Sequence, residues 1–329
     1  MAGHRETAVS FLGVDIGGTR MTAGVVACDG SLMAVRRMAT PRSAGAEACV
    51  PELLSACRSL LDEVKGAAPP VAVGIGFGGP VDAAAGVVRR SHHVEGWSGR
   101  PLAAVFAEAT GLPAYLENDA NAAALAEALF GAGRGADPVL YVNVGTGIGG
   151  GLVLGGRAYR GAHFNAGEIG HLVLLPDGPP CPCGKRGCLE ALASGDAIGR
   201  MAQERRDAGM LAGSALATLE PLTGRAVGEY ACRGDLASRE IVGEAGTYLG
   251  WALALSANLL DPQIIVVGGG VSALGDVYLE PARRRFRELA MDWVADVQIV
   301  PAALGYDAGV IGAAAVAMTM VSLPQGGSG

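Results

Sequence analysis

Positive charge is scarce in this chain, and the absences narrow its function before any motif is read. Only 25 Lys and Arg stand against 32 Asp and Glu over 329 residues, a formal net charge of −7. No Lys/Arg run builds a local basic face, so nucleic acid is not an expected partner. No apolar stretch is long enough to span a bilayer, and the Ala-rich segment from Ala308 to Val321 is punctuated by Gly309 and Gly312, so no membrane is expected either. The opening residues, MAGHRETAVSFLGVDIGGT, carry no signal-like apolar core, and the expected location is the cytoplasm. Cys28, Cys49, Cys57 and Cys232 lack paired spacing, which argues against a disulfide framework and for a reducing compartment. There is no Gly-Lys-Ser/Thr and hence no Walker loop. No Gly-x-Gly-x-x-Gly runs into a helix in the Rossmann manner.

What is present is half apolar, 17% charged and rich in glycine, with 52 residues of it. This mixture suits an α/β enzyme with tight turns, and the length suits two domains. Val9 to Val14 and Met21 to Ala27 read as strands joined through Asp15-Ile16-Gly17-Gly18-Thr19-Arg20. Paired glycines with positive φ would turn N–H groups toward an anion, and Thr19 adds a hydroxyl. An ordinary Gly-rich β-turn accounts for the same residues. The strand Val139 to Val144, the turn Gly145-Thr146-Gly147-Ile148-Gly149-Gly150-Gly151 and the strand Leu152 to Leu154 repeat the arrangement, which predicts an internal duplication with one phosphate-holding turn in each half.

Val71 to Ile75 runs into the glycine crowd Gly74 to Asp82, which marks either close backbone approach or a plain loop. His92, His93 and Trp97 follow in a polar loop and receive no role. Ala114 to Glu117 reads as a strand leading into Asn118-Asp119 and a helix from Ala120 to about Phe130. Such a corner presents catalytic side chains in α/β folds, yet Asn and Asp are also the best N-cap residues. Further helices are expected over Pro51 to Lys65, Pro101 to Thr110, Glu244 to Leu260, Arg283 to Met291 and Tyr306 to Met320, with a helical region from Ser194 to about Gly250 interrupted near Pro221 to Gly224. The strand Ile264 to Val267 opens into Gly268-Gly269-Gly270, either a bed for a flat ring or a tight connection.

The densest chemistry lies between Gly167 and Glu190. Cys181, Cys183 and Cys188 fall within eight residues, and His171 stands ten residues before the first of them. One imidazole and three thiolates complete a tetrahedral set for Zn²⁺ with no open position, which makes the site structural. Glu168 and Glu190 flank the ligands, and closing the metal loop would draw them together as a substrate clamp. A zinc knob with two solvated glutamates, or three reduced surface cysteines, fits the same spacing.

Collected, these stretches resemble the ROK family of sugar kinases and sugar-responsive repressors over nearly the whole chain. The matching pieces are Asp15 to Thr19, Gly74 to Asp82, Glu117-Asn118-Asp119, Gly145 to Gly151, Glu168-Ile169-Gly170-His171, Cys181 to Glu190 and Gly268 to Gly270. The resemblance implies an actin-like (ribonuclease H-like) duplicated α/β fold of two lobes with sugar and ATP in the cleft between them. The lobes are expected over 1–118 and 119–329, with the zinc segment in the second and a C-terminal helix near 306–320 packing back on the first. It implies ATP-dependent phosphorylation of a hexose, with Mg²⁺ and a structural Zn²⁺, glucose being the first choice. Fructose and N-acetylhexosamines are alternatives, polyphosphate as donor stays open, and a non-catalytic sugar sensor is the reading of another class.

The implied roles are specific. Asp119 resembles the family's base; Gly79, Asn118, Asp119, Glu168, His171 and Glu190 resemble its sugar-binding positions, so that His171 serves both zinc and sugar. Gly17, Gly18, Thr19, Thr146, Gly147, Gly269 and Gly270 resemble its nucleotide-binding positions, and Asp15 would act on Mg²⁺ through water. Gly161 to Asn165 is the expected seat of sugar preference, and a homodimer or homotetramer is the expected assembly. Arg20 stands where the family often has Lys, and Gly78-Gly79 where it often has Pro-Gly. The family's repressors carry a helix-turn-helix before the first motif, whereas about a dozen residues precede Asp15, so DNA binding is not expected.

Overall fold

A computed structural model describes residues 9–41, 45–66, 68–91 and 95–321. His92 and His93 lie outside the described residues. The chain opens on β1 (Ser10–Ile16), β2 (Arg20–Ala27) and β3 (Leu32–Ala39), in which β1 and β2 are buried almost throughout. Helix α1 (Gly45–Val64) lays Cys49, Leu53, Cys57, Leu60 and Val64 into the core at helical spacing. It begins six residues before Pro51, where the sequence reading began it. The proline forfeits one ladder N–H, but the apolar stripe continues on both sides of it.

The first half continues through β4 (Pro70–Phe77), β5 (Val81–Asp82), β6 (Val87–Val88), α2 (Leu102–Thr110), β7 (Ala114–Asn118) and α3 (Asp119–Phe130). The second half runs β8 (Val139–Val144), β9 (Ile148–Leu154), β10 (Arg157–Ala158), α4 (Leu189–Ala193), α5 (Gly195–Asp207), α6 (Gly224–Cys232) and α7 (Leu236–Leu260). It closes with β11 (Ile264–Gly268), α8 (Asp276–Leu289), β12 (Gln298–Pro301) and α9 (Ala308–Met320). Helices α7 and α8 and strand β12 depart from the sequence expectation. Helix α7 starts at Leu236 rather than Glu244, because Asp235 caps it by accepting the Ser238 N–H at 2.8 Å. Helix α8 starts at Asp276 rather than Arg283 and runs through Pro281, and the short strand β12 was not foreseen.

One sheet has the order β3-β2-β1-β4-β7 and the other β10-β9-β8-β11-β12. In the first, β1 is antiparallel to β2 and parallel to β4; in the second, β11 is parallel to both β8 and β12. The same five-strand order occurring twice is the duplication that the two Gly/Thr turns predict.

By their contacts the residues form two compact units. One contains the chain up to Gly135, Leu152–Ala166 and the chain from Tyr306; the other contains Ala136–Gly151 and Gly167–Gly305. Where the sequence reading ended the first lobe at 118, the contacts keep α3 with it, since α3 packs on α9 so closely that a Cβ on Gly312 would overlap the Ala122 carbonyl. Among the described residues no helix is long and apolar enough to cross a membrane.

Helix α9 also lies directly on β1 and β4. A side chain at Gly74 would run into the Ala313 carbonyl oxygen and one at Gly13 into that of Val310. The approach marked by Gly74 is therefore that of a helix and not of a ligand. Gly74→Ala is expected to cost about 1–3 kcal/mol or more, because backbone rather than a flexible side chain must give way. Urea titration checks this, and a midpoint equal to the parent's would show that α9 is not seated so closely.

Candidate active site

The Asp119 corner is assembled at the end of β7. Asn118 takes extended backbone angles and caps α3, its Oδ1 accepting the N–H groups of Ala120 at 2.9 Å and Asn121 at 3.2 Å. Its Nδ2 donates to the Gly79 carbonyl at 3.3 Å, which joins two of the positions expected to bind sugar. Capping thus falls to Asn118, and Asp119 opens the helix with Oδ1 accepting the Ala120 N–H at 2.8 Å. Gly78 lies between this corner and the end of β1, in ordinary contact with both. A Cβ there would stand 3.4 Å from Asp119 Oδ2, 3.4 Å from the Ile16 carbonyl and 3.8 Å from the Gly17 Cα.

Asp15, on β1 opposite Thr22 and Gly76, is the second carboxylate. Burial and then the Asp119 charge push its pKa up to about 7, while the Arg20 guanidinium works in the opposite direction. Its carboxylate rests on the first turn of α9, where Gly309 leaves room. A buried carboxylate whose proton affinity is raised by an acidic neighbour suits a divalent cation, so this donor set fits Mg²⁺. The turn beside it lacks the positive φ that one of its two readings needs. Gly17 spends its N–H on the Arg20 carbonyl at 2.9 Å, and neither Gly17 nor Gly18 has positive φ, so the bend is an ordinary hairpin turn. Thr19 is exposed on it, and Arg20 stacks 3.6 Å from the Tyr306 ring centre.

The remaining site positions lie in the second unit. His171 Nδ1 is 3.8 Å from Cys181 Sγ and Cys183 Sγ is 3.7 Å from Cys188 Sγ, and all four donor atoms lie within 4.8 Å of one another. A tetrahedron with Zn–S and Zn–N bonds of about 2.3 and 2.0 Å has edges of about 3.5–3.8 Å, so the cluster fits zinc and is much too open for a disulfide. Burial pushes the Cys181 thiol up to about 12 and raises that of Cys188 as well, so bound metal would displace protons from both. Positive φ at Gly184 and Gly187 lets the chain turn between Cys183 and Cys188, and a side chain at Gly187 would overlap the Leu175 carbonyl.

The carboxylates follow from this loop. Cys188 is the N-cap of α4, which places Glu190 in its first turn. Glu190 Oε2 accepts the Ile148 N–H at 3.0 Å, in room left by the missing side chain of Gly147, and its Oε1 lies 3.8 Å from Cys181 Sγ. Glu168 lies 3.9 Å from His171 Nε2, so the two ring nitrogens face opposite partners, thiols on one side and a carboxylate on the other. The end of β8, just before Thr146 and Gly147, meets the other Gly-rich turn. Val144 accepts from Val271 N–H at 2.9 Å, Gly269 sits at φ 87° against the Val144 carbonyl, and Gly270 has open space beside it.

The ROK family model matches residues 11–320. The chain belongs to the ROK family. Among ROK relatives, the glucokinase of Streptomyces coelicolor is 35% identical over 313 residues, 93% of this chain and 96% of that protein. The N-acetylmannosamine kinase of Escherichia coli O9:H4 is 33% identical over 322 residues, 94% of this chain and 98% of that protein. A solved ROK glucokinase from Streptomyces griseus, in complex with glucose and AMPPNP, superposes with a TM-score of 0.79 at 38% identity, covering 93% of this chain and 98% of that one. The twice-repeated strand order is thus the actin-like ATPase and sugar kinase fold of the ROK family.

Two residues that sequence reading left without a role stand directly behind the ROK corner. Glu117 is buried at 1% exposure and pairs with Arg160 Nε at 2.6 Å. The available signal was an acidic residue inside an otherwise apolar strand, which has to be paired.

Proposed function

We propose that this ROK chain, an ATP-dependent sugar kinase, transfers the γ-phosphoryl group of ATP to the primary hydroxyl at C6 of glucose, with Asp119 as the general base. The observation that carries this is the Asp119 corner, where Asn118 does the capping and a second acidic group, Asp15, stands within electrostatic reach. In the reaction the hydroxyl oxygen bonds to the γ-phosphorus, the bond to the ADP oxygen breaks, and the hydroxyl proton passes to Asp119. Because the transition state is loose, the proton moves late and the protein mainly positions groups and neutralises charge.

Asn118, through its second Nδ2 hydrogen, would join Gly79, Glu168, His171 and Glu190 in holding the ring hydroxyls. Charge-assisted hydrogen bonds of this kind reject a sugar that lacks the right hydroxyl. Thr19 and Thr146, with the backbone of Gly18 and Gly147, would line the phosphates, and Gly269 and Gly270 would leave room for the base of the nucleotide. Mg²⁺ would be held from Asp15 through water, and it supplies charge neutralisation on the phosphate oxygens. Zn²⁺ on His171, Cys181, Cys183 and Cys188 would keep Glu168 and Glu190 in register. The unpaired spacing of Cys28, Cys49, Cys57 and Cys232 supports a reducing, cytoplasmic setting, and exposed Leu255, Leu259 and Met291 support a homodimer or homotetramer.

The E. coli relative favours a second reading, an N-acetylmannosamine kinase. An ADP-release assay over glucose, fructose, N-acetylmannosamine and N-acetylglucosamine decides between them. Glucose is expected to give the highest kcat/KM. A tenfold preference for an N-acetylated sugar would replace glucose, and no ADP release with any sugar would remove the kinase reading.

A further inference from the structure

Glu117 is an expensive residue to keep where it is. Its side chain is 2% exposed, and a buried carboxylate has to be satisfied on both oxygens. Oε2 accepts from Arg160 Nε at 2.6 Å; Oε1 accepts from the Asn118 backbone N–H at 3.1 Å and from Asn121 Nδ2 at 3.0 Å. Asn121, itself 4% exposed, makes that contact although its Oδ1 finds no hydrogen-bond partner. One carboxylate thus grips the corner on both sides of Asp119, at the backbone of residue 118 and the side chain of residue 121.

Its partner comes from far along the chain. Arg160 follows β10 and leads into Gly161 to Asn165, and its carbonyl accepts the Ala166 N–H at 3.2 Å, which closes the segment into a loop. The other side of the loop is fastened by Arg89. That guanidinium donates to the His163 carbonyl at 3.4 Å, stands 5.2 Å from the Phe164 ring centre and pairs with Asp82 at 3.2 Å. Phe164 is held at φ 59°, a left-handed conformation that an aromatic residue keeps only when its surroundings impose it. All of these residues belong to the first unit.

We infer that Glu117 and Arg160 are positioning residues, whose ion pair sets the Asp119 corner from the loop Gly161–Asn165 and so makes the seating of that loop a condition for placing the base. The inference rests on the reading of Asp119 as the base. A pair serving stability alone would need only a positive charge beside Glu117. A positioning pair needs the planar Nε–H aimed at Oε2, which lysine does not offer.

Arg160→Lys and Glu117→Gln are therefore compared with the parent by kcat, by KM for sugar and ATP, by melting temperature and by amide hydrogen exchange at residues 118–121. Arg160→Lys is expected to melt near the parent and keep its KM for ATP, while kcat falls on the order of 10²-fold, the usual cost of a small misplacement. Exchange at 118–121 should accelerate, and Glu117→Gln should show the same split. A folded Arg160→Lys with parental kcat and unchanged exchange overturns the inference, as does a loss of turnover that merely tracks the loss of folded protein. Should the parent phosphorylate no sugar, the kinase reading fails by itself, and exchange at 118–121 still decides whether the pair holds the corner.

Discussion

Asp119→Asn is expected to lower kcat by about 10²- to 10⁴-fold while the protein folds and binds sugar as before. The substitution is nearly isosteric, and the helix start does not depend on the lost charge, because Asn118 Oδ1 already accepts the N–H groups of Ala120 and Asn121. What disappears is the ability to receive the hydroxyl proton as the bond to phosphorus forms. Asp15 should respond as well. The Asp119 charge raises the Asp15 pKa, so its removal lets Asp15 ionise at a lower pH, and any residual activity should extend further toward acid. ADP release measures the first effect, sugar titration by tryptophan fluorescence the retained binding, and the pH profile of residual turnover the last. Near-parental turnover would remove Asp119 from the role of base.

The fold was legible in the chain wherever a signal was local and repeated. Two strand–Gly/Thr–strand stretches announced a duplication, and each became the centre of a five-strand sheet with the same order. The His/Cys donor cluster was legible because a closed donor set in a short loop leaves little conformational choice, and the structure gathers all four atoms within 4.8 Å. What stayed hidden depends on contacts between distant residues. Gly74 stood for either a close backbone approach or a plain loop, and the approach proved to be that of α9, a helix more than 230 residues later in the chain. Glu117 matched a motif, yet nothing nearby in sequence names Arg160 as its partner, 43 residues away. Pro51 and Pro281 misled in the other direction, since a proline is a strong local stop that an uninterrupted apolar stripe overrides.

The largest stability effect is expected at Cys188. Purified protein should contain about one zinc per chain, and Cys188→Ala should lose it. Structural zinc in small domains contributes about 10–16 kcal/mol of apparent binding free energy at neutral pH, nearly all of it available only to the folded loop. The second unit has an apolar core of its own, around Ile241, Leu249 and Leu253, so the loss should be felt locally rather than as global unfolding. Cys188 is the cysteine through which that loss should reach Glu190, because it also begins α4 and thereby sets that carboxylate, whose Oε2 meets the Ile148 N–H. Cys183, exposed at the loop's outer edge, begins no element, and its replacement by Ser should cost metal affinity with less damage to Glu190. Sugar affinity should therefore fall further in Cys188→Ala than in Cys183→Ser, although both remove one thiolate from the same ion. Metal analysis, melting temperature and sugar titration on the two variants test that ordering. Metal-free protein with parental sugar affinity would detach the zinc loop from the sugar site and leave His171 and the three cysteines as a separate staple.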